Sequence, residues 1–539
     1  MKRRAFAMMI FLASSARCLA AQTAAKLPEF QAADVRVSPH RRFLFGEEGF
    51  VRGDRYIFHQ ATMLELIATA YSVDESKVAA GPPWLETDRF DVVARIPPGT
   101  PPATLKLMLR SLLADRFKLQ LHNGTLSQPA FMLSSAKAPV KMKQSDQEGE
   151  ADCKFQEPAS QTETSVVVSC HHTTMEELAQ NLPDWAGAYI TDPVVDATGL
   201  KGSWDFDVKW TPRRWMQKAG PDGISIFDAV EKELGLKLER QTAPRPVLIV
   251  DSVNRKPTPN APDLARILPP MPPPQFDVAV IKPSKPGRNT DIGLDGGNLD
   301  ARNATLKTLI AFAWDLSENG REELVGAPKW LDSDRFDIQA KLLDDTPASS
   351  VPNPIRVDVE ELRHMLQVLL ADRFQLKTHI EERPVLAYTL IAVKPKLTPA
   401  DPSSRTRCKE GPGPDGNDPR IANPVLNRLV SCQNMTMAQV GEMLQTVAGG
   451  YIFQPVLDAT GLKGSWNFTL SFSSAGLTNS HEISPSGTPT TAGVSASDPS
   501  GALSLFDAVN RQLGLKLEKQ RRTAPVLVID HIDEKPTAN

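Results

Sequence analysis

The chain has 539 residues, of which 41% are hydrophobic and 23% charged, values that suit roughly three or four globular units with real cores. Lys plus Arg (61) nearly balance Asp plus Glu (64), leaving a net charge of −3. That argues against a nucleic-acid partner, which calls for concentrated basic charge to neutralise phosphates. Mean hydropathy is −0.27, and no long apolar run follows the first twenty residues, which excludes a polytopic membrane protein.

Residues 1–21 read as an export signal. Lys2, Arg3 and Arg4 form a positive start, Ala5 to Ala13 a short apolar core, and Ala20-Ala21 a small-residue cleavage site. The core is too short to span a bilayer, which takes ~20 apolar residues. Arg3-Arg4 leaves the general secretory and twin-arginine routes both open, and retention as an uncleaved anchor stays open too. Cys18 follows Arg17, which argues against a lipoprotein anchor. The expected address is periplasmic or secreted, with no stable membrane insertion once the signal is removed.

Downstream, helices and strands alternate. Leu105, Met108, Leu109, Leu112 and Leu113 make one apolar helical stripe. Thr174 with Glu177 forms a capping box that opens another helix, and Ser225 with Asp228 a similar cap. Gly235 stands where a left-handed residue would end that last helix. Arg255 to Gln275 is proline-dense and reads as a semi-rigid spacer. Beyond it, Phe276 to Ile281 and Leu299 to Arg302 read as strands and Thr305 to Trp314 as a helix. Arg335 to Leu342 alternates with period two, a half-buried strand. Leu362, Met365, Leu366, Leu369 and Leu370 form a second helical stripe. Gln375 to Glu381 and Leu386 to Val393 read as a strand pair, and Thr436 with Gln439 as a capping box. Residues 473–500 are rich in Ser, Thr, Gly and Pro and read as a loop insertion. Ser504 with Asp507, Gly514, and a closing pair, Leu515 to Lys519 and Val526 to Asp530, complete the chain.

The sequence is written twice. L-L-A-D-R-F occurs at Leu112 and again at Leu369, and D-A-T-G-L-K-G-S-W at Asp196 and at Asp458. Phe227-Asp228-Ala229-Val230 and L-G-L-K-L-E at Leu234 return at Phe506 and Leu513. The spacing far exceeds solenoid periods, so this is a domain duplication: a first module over 30–254, a linker over 255–275 and a second module over 276–538. Strands in mixed sheets with helices on one face give an α+β class, and each module is expected to hold two small subdomains divided near its cysteines. Without Cys18, four cysteines remain, one pair per copy. The economical pairing is Cys153 with Cys170 and Cys408 with Cys432, each stapling its own module at ~3 kcal/mol in the loop-entropy account.

The run F-D-V-A-V-I-K-P-S at Phe276, W-L-x-x-D-R-F-D at Trp330, L-L-A-D-R-F at Leu369, D-A-T-G-L-K-G-S-W at Asp458, L-G-L-K-L-E and V-L-V-I-D-H resembles the domain of unknown function 3738 family, exported proteins of soil bacteria. The resemblance covers nearly all of 276–538 and, less closely, 30–254. It brings no activity. Some relatives carry a fused membrane metallopeptidase of the antibiotic-sensor type, which implies sensing or docking in the envelope. A weaker likeness is to the small N-terminal domains of secretins and TonB-dependent receptors, which serve protein contact.

Chemical motifs are sparse. His481-Glu482 lacks the second histidine of a zinc helix, and His171-His172 is replaced by Gln433-Asn434 in the second copy. There is no P-loop and no G-x-S-x-G elbow. No catalytic, cofactor-binding or metal-binding residue is assigned, and no cofactor is expected. D-R-F occurs four times, at Asp88, Asp115, Asp334 and Asp372, and reads as a device that shapes the start of a strand. His122 and His379 hold matching places and are expected on the wet face of their strands. With Trp330 they form a speculative binding surface, set against core packing for the tryptophans. The expected function is a non-catalytic docking protein that binds an envelope protein or polymer. The alternative is a hydrolase of cell-wall or extracellular polymer, with Asp334, Asp372 and His379 converging in a cleft of the second module.

Overall fold

Strand Arg89–Arg95 buries every second side chain, Phe90, Val92 and Ala94, as a sheet with one face on a core requires. The structure, a computed structural model, describes residues 27–38, 49–136, 139–145, 149–156, 163–270, 275–284, 290–295, 298–316, 323–342, 359–477 and 501–538. Residues 1–21, read above as an export signal, and most of the low-complexity stretch 473–500 lie outside these.

In the first copy this strand belongs to an antiparallel sheet in the order Ala32–Val37, Arg89–Arg95, Arg55–Thr62, Phe50–Arg52. Helices Met63–Tyr71 and Pro102–Arg116 supply Leu66, Ile67, Leu109 and Leu113 to the core that Phe58, Phe90 and Phe117 complete. A second lobe has its own sheet, Lys143–Gln144, Trp204–Trp210, Val166–Thr173, Asp152–Gln156. Helix Met175–Ala186 and a helical turn, Ile226–Ala229, pack on it in a separate core. The second copy repeats both lobes. Its first sheet runs Phe276–Pro283, Arg335–Leu342, Asn298–Thr305, Asp291–Asp295, with helices Leu306–Ala313 and Val359–Phe374. Its second sheet runs Thr398–Pro399, Trp466–Phe472, Arg428–Met435, Arg407–Glu410, with helix Met437–Val447. The class is α+β, with one core in each lobe and a small further cluster, Val385, Ala524, Val526 and Val528, on the ribbon of the second copy.

The ribbon that joins the two lobes differs from expectation. The segments read as strand pairs are single strands: Lys377–Ala392 runs unbroken and pairs antiparallel with Leu515–His531 over its whole length. Gln120–Ser135 and Leu236–Ser252 do the same in the first copy. At ~3.4 Å per residue each ribbon is about 50 Å long. The charged and proline-bearing middles, such as Glu381 to Pro384, broke the alternating pattern because the buried residues there come mostly from the opposite strand, Ala524, Val526 and Val528 in the second copy. Pro384 and Pro525 are accommodated because each strand keeps a free side in that stretch. Short parallel strands widen the ribbon at its ends, Val78–Ala80 and Val194–Asp196 in the first copy, Leu324–Val325 and Val456–Asp458 in the second.

In both copies the last helix widens into a π turn, Val230–Leu234 and Val509–Leu513, before a glycine starts the ribbon strand. Gly235 and Gly514 have φ of 71° and 67°, and a Cβ at either would collide with a backbone carbonyl, of Pro139 or Lys394. Glycine is therefore required twice over.

The expected spacer is also tied down over much of its length. Asn254 N and Thr258 N donate to Phe117 O and Arg116 O, Asn260 bonds Asp34 and Val35, and Arg95 and Arg55 reach Ile267 O and Pro269 O. The chain end repeats the device: Asp533 N donates to Phe374 O and Thr537 N to Arg373 O. Both straps carry Lys-Pro-Thr, at Lys256 and Lys535, a repeat that the reading of motifs above passed over.

Candidate functional site

Most of the repeated polar strings are consumed by backbone geometry. In the first lobe of each copy a bulge puts Gln60 and Asn303 at φ of 54° and 52°. Asp91 and Asp337 accept their N–H groups at 2.9 and 2.8 Å, and also the hydroxyls of Ser38 and Ser284. Arg89 and Arg335 donate to the carbonyls of the same bulged residues. D-R-F-D is thus a clamp on a left-handed backbone residue, a conformation that needs local compensation. The other D-R-F pair is different. Asp115-Arg116 and Asp372-Arg373 end helices instead of starting strands, which corrects the single role expected for all four. Arg116 donates to Thr258 and Asn260, and Arg373 to Thr537 and Ala279 O, so these arginines fasten the straps.

The second lobes follow the same logic. His172 and Asn434 are bulged at φ of 51° and 54°, and their N–H groups go to Asp205 and Asn467. His172 is therefore a backbone position, which explains why Asn434 replaces it. Asp196 and Asp458 each accept the N–H and hydroxyl of the threonine two residues on, Thr198 and Thr460, closing the turn of D-A-T-G-L. The disulfides Cys153–Cys170 and Cys408–Cys432 join directly opposed residues of neighbouring strands, as the duplication implied.

What remains after this accounting lies on the ribbons. His122 Nδ1 is 2.9 Å from both carboxylate oxygens of Asp251, and His379 Nδ1 is 2.9 and 3.0 Å from those of Asp530. The four side chains are each about half exposed, 43–56%. In the second copy Glu381 lies 3.8 Å from His379 and pairs with Arg383 at 2.7 Å; the Arg383 hydrogen bond and charge, with a lesser contribution from His379, hold its carboxyl below the usual range against desolvation. Gly124 and Leu126 stand at these positions in the first copy. Trp330 is partly buried against the first-lobe core, so it packs where His379 stands in the open. Asp334 accepts from Ser333, and Asp372 is exposed beside the turn at Gln375. The carboxylate that His379 meets is Asp530, from the opposite strand. Among the described residues no group of three His, Cys, Asp or Glu side chains is placed to hold a metal, and no helix is long and apolar enough to cross a membrane.

A second constellation joins the copies. Arg405, just before Cys408, ion-pairs with Glu86 of the first copy and donates to Val78 O at 2.7 Å. Thr406 N donates to Pro83 O at 3.0 Å, and Arg52 pairs with Glu361 at 2.8 Å. Further along the same loop Asp418 holds the wholly buried Arg420 with two bonds of 2.9 Å and lies 3.6 Å from Arg213. Arg213 itself donates to Ala188 O and stacks on Tyr189. Burial raises the Tyr189 hydroxyl to about 12 despite the nearby arginines. The sequence string Gly411 to Gly416 has the form G-x-G-x-x-G, but it is a turn of this loop packed on Thr191 and Arg240. It lacks the long helix whose N-terminus would hold a pyrophosphate. Nothing in the sequence pointed to this contact except the longer cysteine spacing, 24 residues against 17.

The lobed, duplicated α+β architecture and its clamped bulges define a class in which the recurrent strings build backbone. A family model described as a protein of unknown function, DUF3738, matches residues 64–253 and again 307–532. The chain belongs to that family and carries two tandem copies of its domain. No curated protein and no solved structure matches it.

Proposed function

We propose that this is an exported docking protein of the bacterial envelope that holds a partner protein or polymer along its ribbons and performs no chemistry of its own. The observation that carries the reading is the one-sided backbone pairing in the middle of each ribbon. Between the lobes, Gln120 to Gln128 and Lys377 to Leu386 pair on one side only among the described residues, leaving backbone donors and acceptors that an added strand would satisfy. Exposed Leu126 and Ile380, 38% and 62% accessible, lie on these edges. Two disulfides support an oxidising compartment, hence export.

A hydrolase remains the second reading because the His–Asp pair occurs in both copies with the histidine oriented through Nδ1, as an imidazole base is held. Photo-crosslinking groups at Ile380 and Leu126 of the full chain, expressed in its native envelope, test the first reading. Defined adducts at these positions, absent from a probe at exposed Lys201, are expected. Absence of adducts, together with loss of polymer release on His379→Ala, would favour the hydrolase.

A further inference from the structure

The first copy offers a worked case of how this fold is bound. Residues 405–420 of the second copy lie across its two lobes, touching Val78, Pro83 and Glu86 on one and Thr191, Arg213 and Arg240 toward the other. The occupant is basic at its leading end (Arg405, Arg407) and meets acids, Glu86 with Glu75 behind it. Burial and neighbouring Glu65, Glu86 and Asp74 push the Glu75 carboxyl up, with Arg405 opposing them.

By the repeat, the same surface of the second copy consists of Leu324, Lys329, Asp332, Phe453, Gln454 and Lys519. It is the more basic of the two. Glu86 becomes Asp332, already paired with Lys307 at 2.7 Å, and Asp192 becomes Gln454. Pro83 becomes the exposed Lys329, and Thr242-Ala243 of the ribbon become Arg521-Arg522. Arg521 reaches only Pro384 O at 3.3 Å, and Arg522 reaches Gln520 and Thr389. Neither has a carboxylate within 4.0 Å among the described residues, and both are exposed. Among the described residues the outer edge of their strand is paired only at Leu527 and Val528. Another copy of this chain also offers acids, Glu150 and Asp152 of its first cysteine loop, where Arg405 and Arg407 stand, so self-association of the full chain that R521E/R522E abolishes would put a second copy in place of a partner protein.

We propose that this surface of the second copy takes an acidic, extended segment of a partner protein, added as a strand beside Arg521-Arg522. This rests on the docking reading and names the partner's chemistry. Backbone pairing supplies affinity and the two arginines select carboxylates, each able to form a forked bond.

The test uses the full chain and fluorescent ten-residue peptides that alternate Val with Glu or Val with Lys. The Glu peptide is expected to bind saturably and the Lys peptide at least tenfold more weakly. R521E/R522E should weaken the Glu peptide at least tenfold and R521Q/R522Q by an intermediate factor. K201E/K463E, which changes net charge equally at exposed turns, should change it less than twofold. Equal losses in the two charge-reversed proteins, equal binding of both peptides, or no binding would overturn the proposal. Because the envelope crosslinks at Ile380 and Leu126 are read separately, a partner captured there and unaffected by R521E/R522E would sink the acidic segment while leaving docking intact.

Discussion

Replacing Asp91 by alanine tests whether the repeated D-R-F-D string works through the backbone. Asp91 accepts from Gln60 N at 2.9 Å and from Ser38 Oγ at 2.7 Å, and Gln60 is 6% exposed in a left-handed bulge. Removing the carboxylate deprives a buried N–H of its acceptor, a loss of ~1–3 kcal/mol, and deletes a second bond worth about 1 kcal/mol. The first lobe should therefore lose about 2–4 kcal/mol. At ~1.4 kcal/mol per decade that is a ~30- to 700-fold rise in its opening constant. Asp91→Asn keeps a carbonyl acceptor and should lose about 1 kcal/mol. Because four lobes need not unfold together, the measurement is amide exchange read by peptide: protection over 55–62 and 89–95 should fall while that over 335–342 is unchanged. Asp337→Ala should give the mirror result. Exchange in 55–62 that is unaltered by Asp91→Ala, or altered no more than by Lys77→Ala, would refute the clamp.

The contact between copies should weaken in acid. Burial pushes the Asp418 carboxyl up, but hydrogen bonds and charge from Arg420, with the charge of Arg213, outweigh it and leave the group below its usual 3.8. A depressed carboxylate contributes stability above its unfolded pKa and loses it as pH falls through the folded one. Energy transfer between a dye on each copy should thus persist at pH 5 and fall below about pH 4, the usual range of an unfolded aspartate; Asp418→Asn should remove the pH dependence, and transfer that survives equally at pH 2.5 would count against it. Glu75, whose carboxyl is raised, acts in the opposite sense. Replacing Cys408 and Cys432 by serine should cost the second lobe of that copy about 3 kcal/mol, seen as a lower thermal midpoint that reductant no longer changes; an unchanged midpoint would contradict it. Trp204 and Trp466 each bury an indole N–H with no partner among the described residues. Trp466→Phe should therefore alter stability by less than about 1 kcal/mol in denaturant, since no bond is lost with the N–H, and a much larger loss would show that the N–H is satisfied.

Sequence alone determined the local and repeated features. Period-two strands such as Arg335–Leu342, the helical stripe of Leu362 to Leu370, the caps at Thr174, Thr436, Ser225 and Ser504, and the left-handed glycines of L-G-L all follow from short-range sterics and hydrogen bonding. The duplication itself made the cysteine pairing legible. Tertiary structure decided whatever depends on a distant neighbour. Lys377–Ala392 is one strand because Leu515–His531, more than a hundred residues away, pairs with all of it, and its charged middle follows no local pattern because the apolar cluster there is supplied mostly by the partner strand, through Ala524, Val526 and Val528. Arg89 and Arg116 hold the same place in D-R-F yet fasten a bulge and a strap, since only the fold brings Gln60 or Thr258 beside them. The histidines acquired their carboxylates, and Arg405 its acid, across spans that chain spacing cannot encode. A side chain's role is set by what it touches, and contacts between remote residues exist only once the backbone has closed on itself.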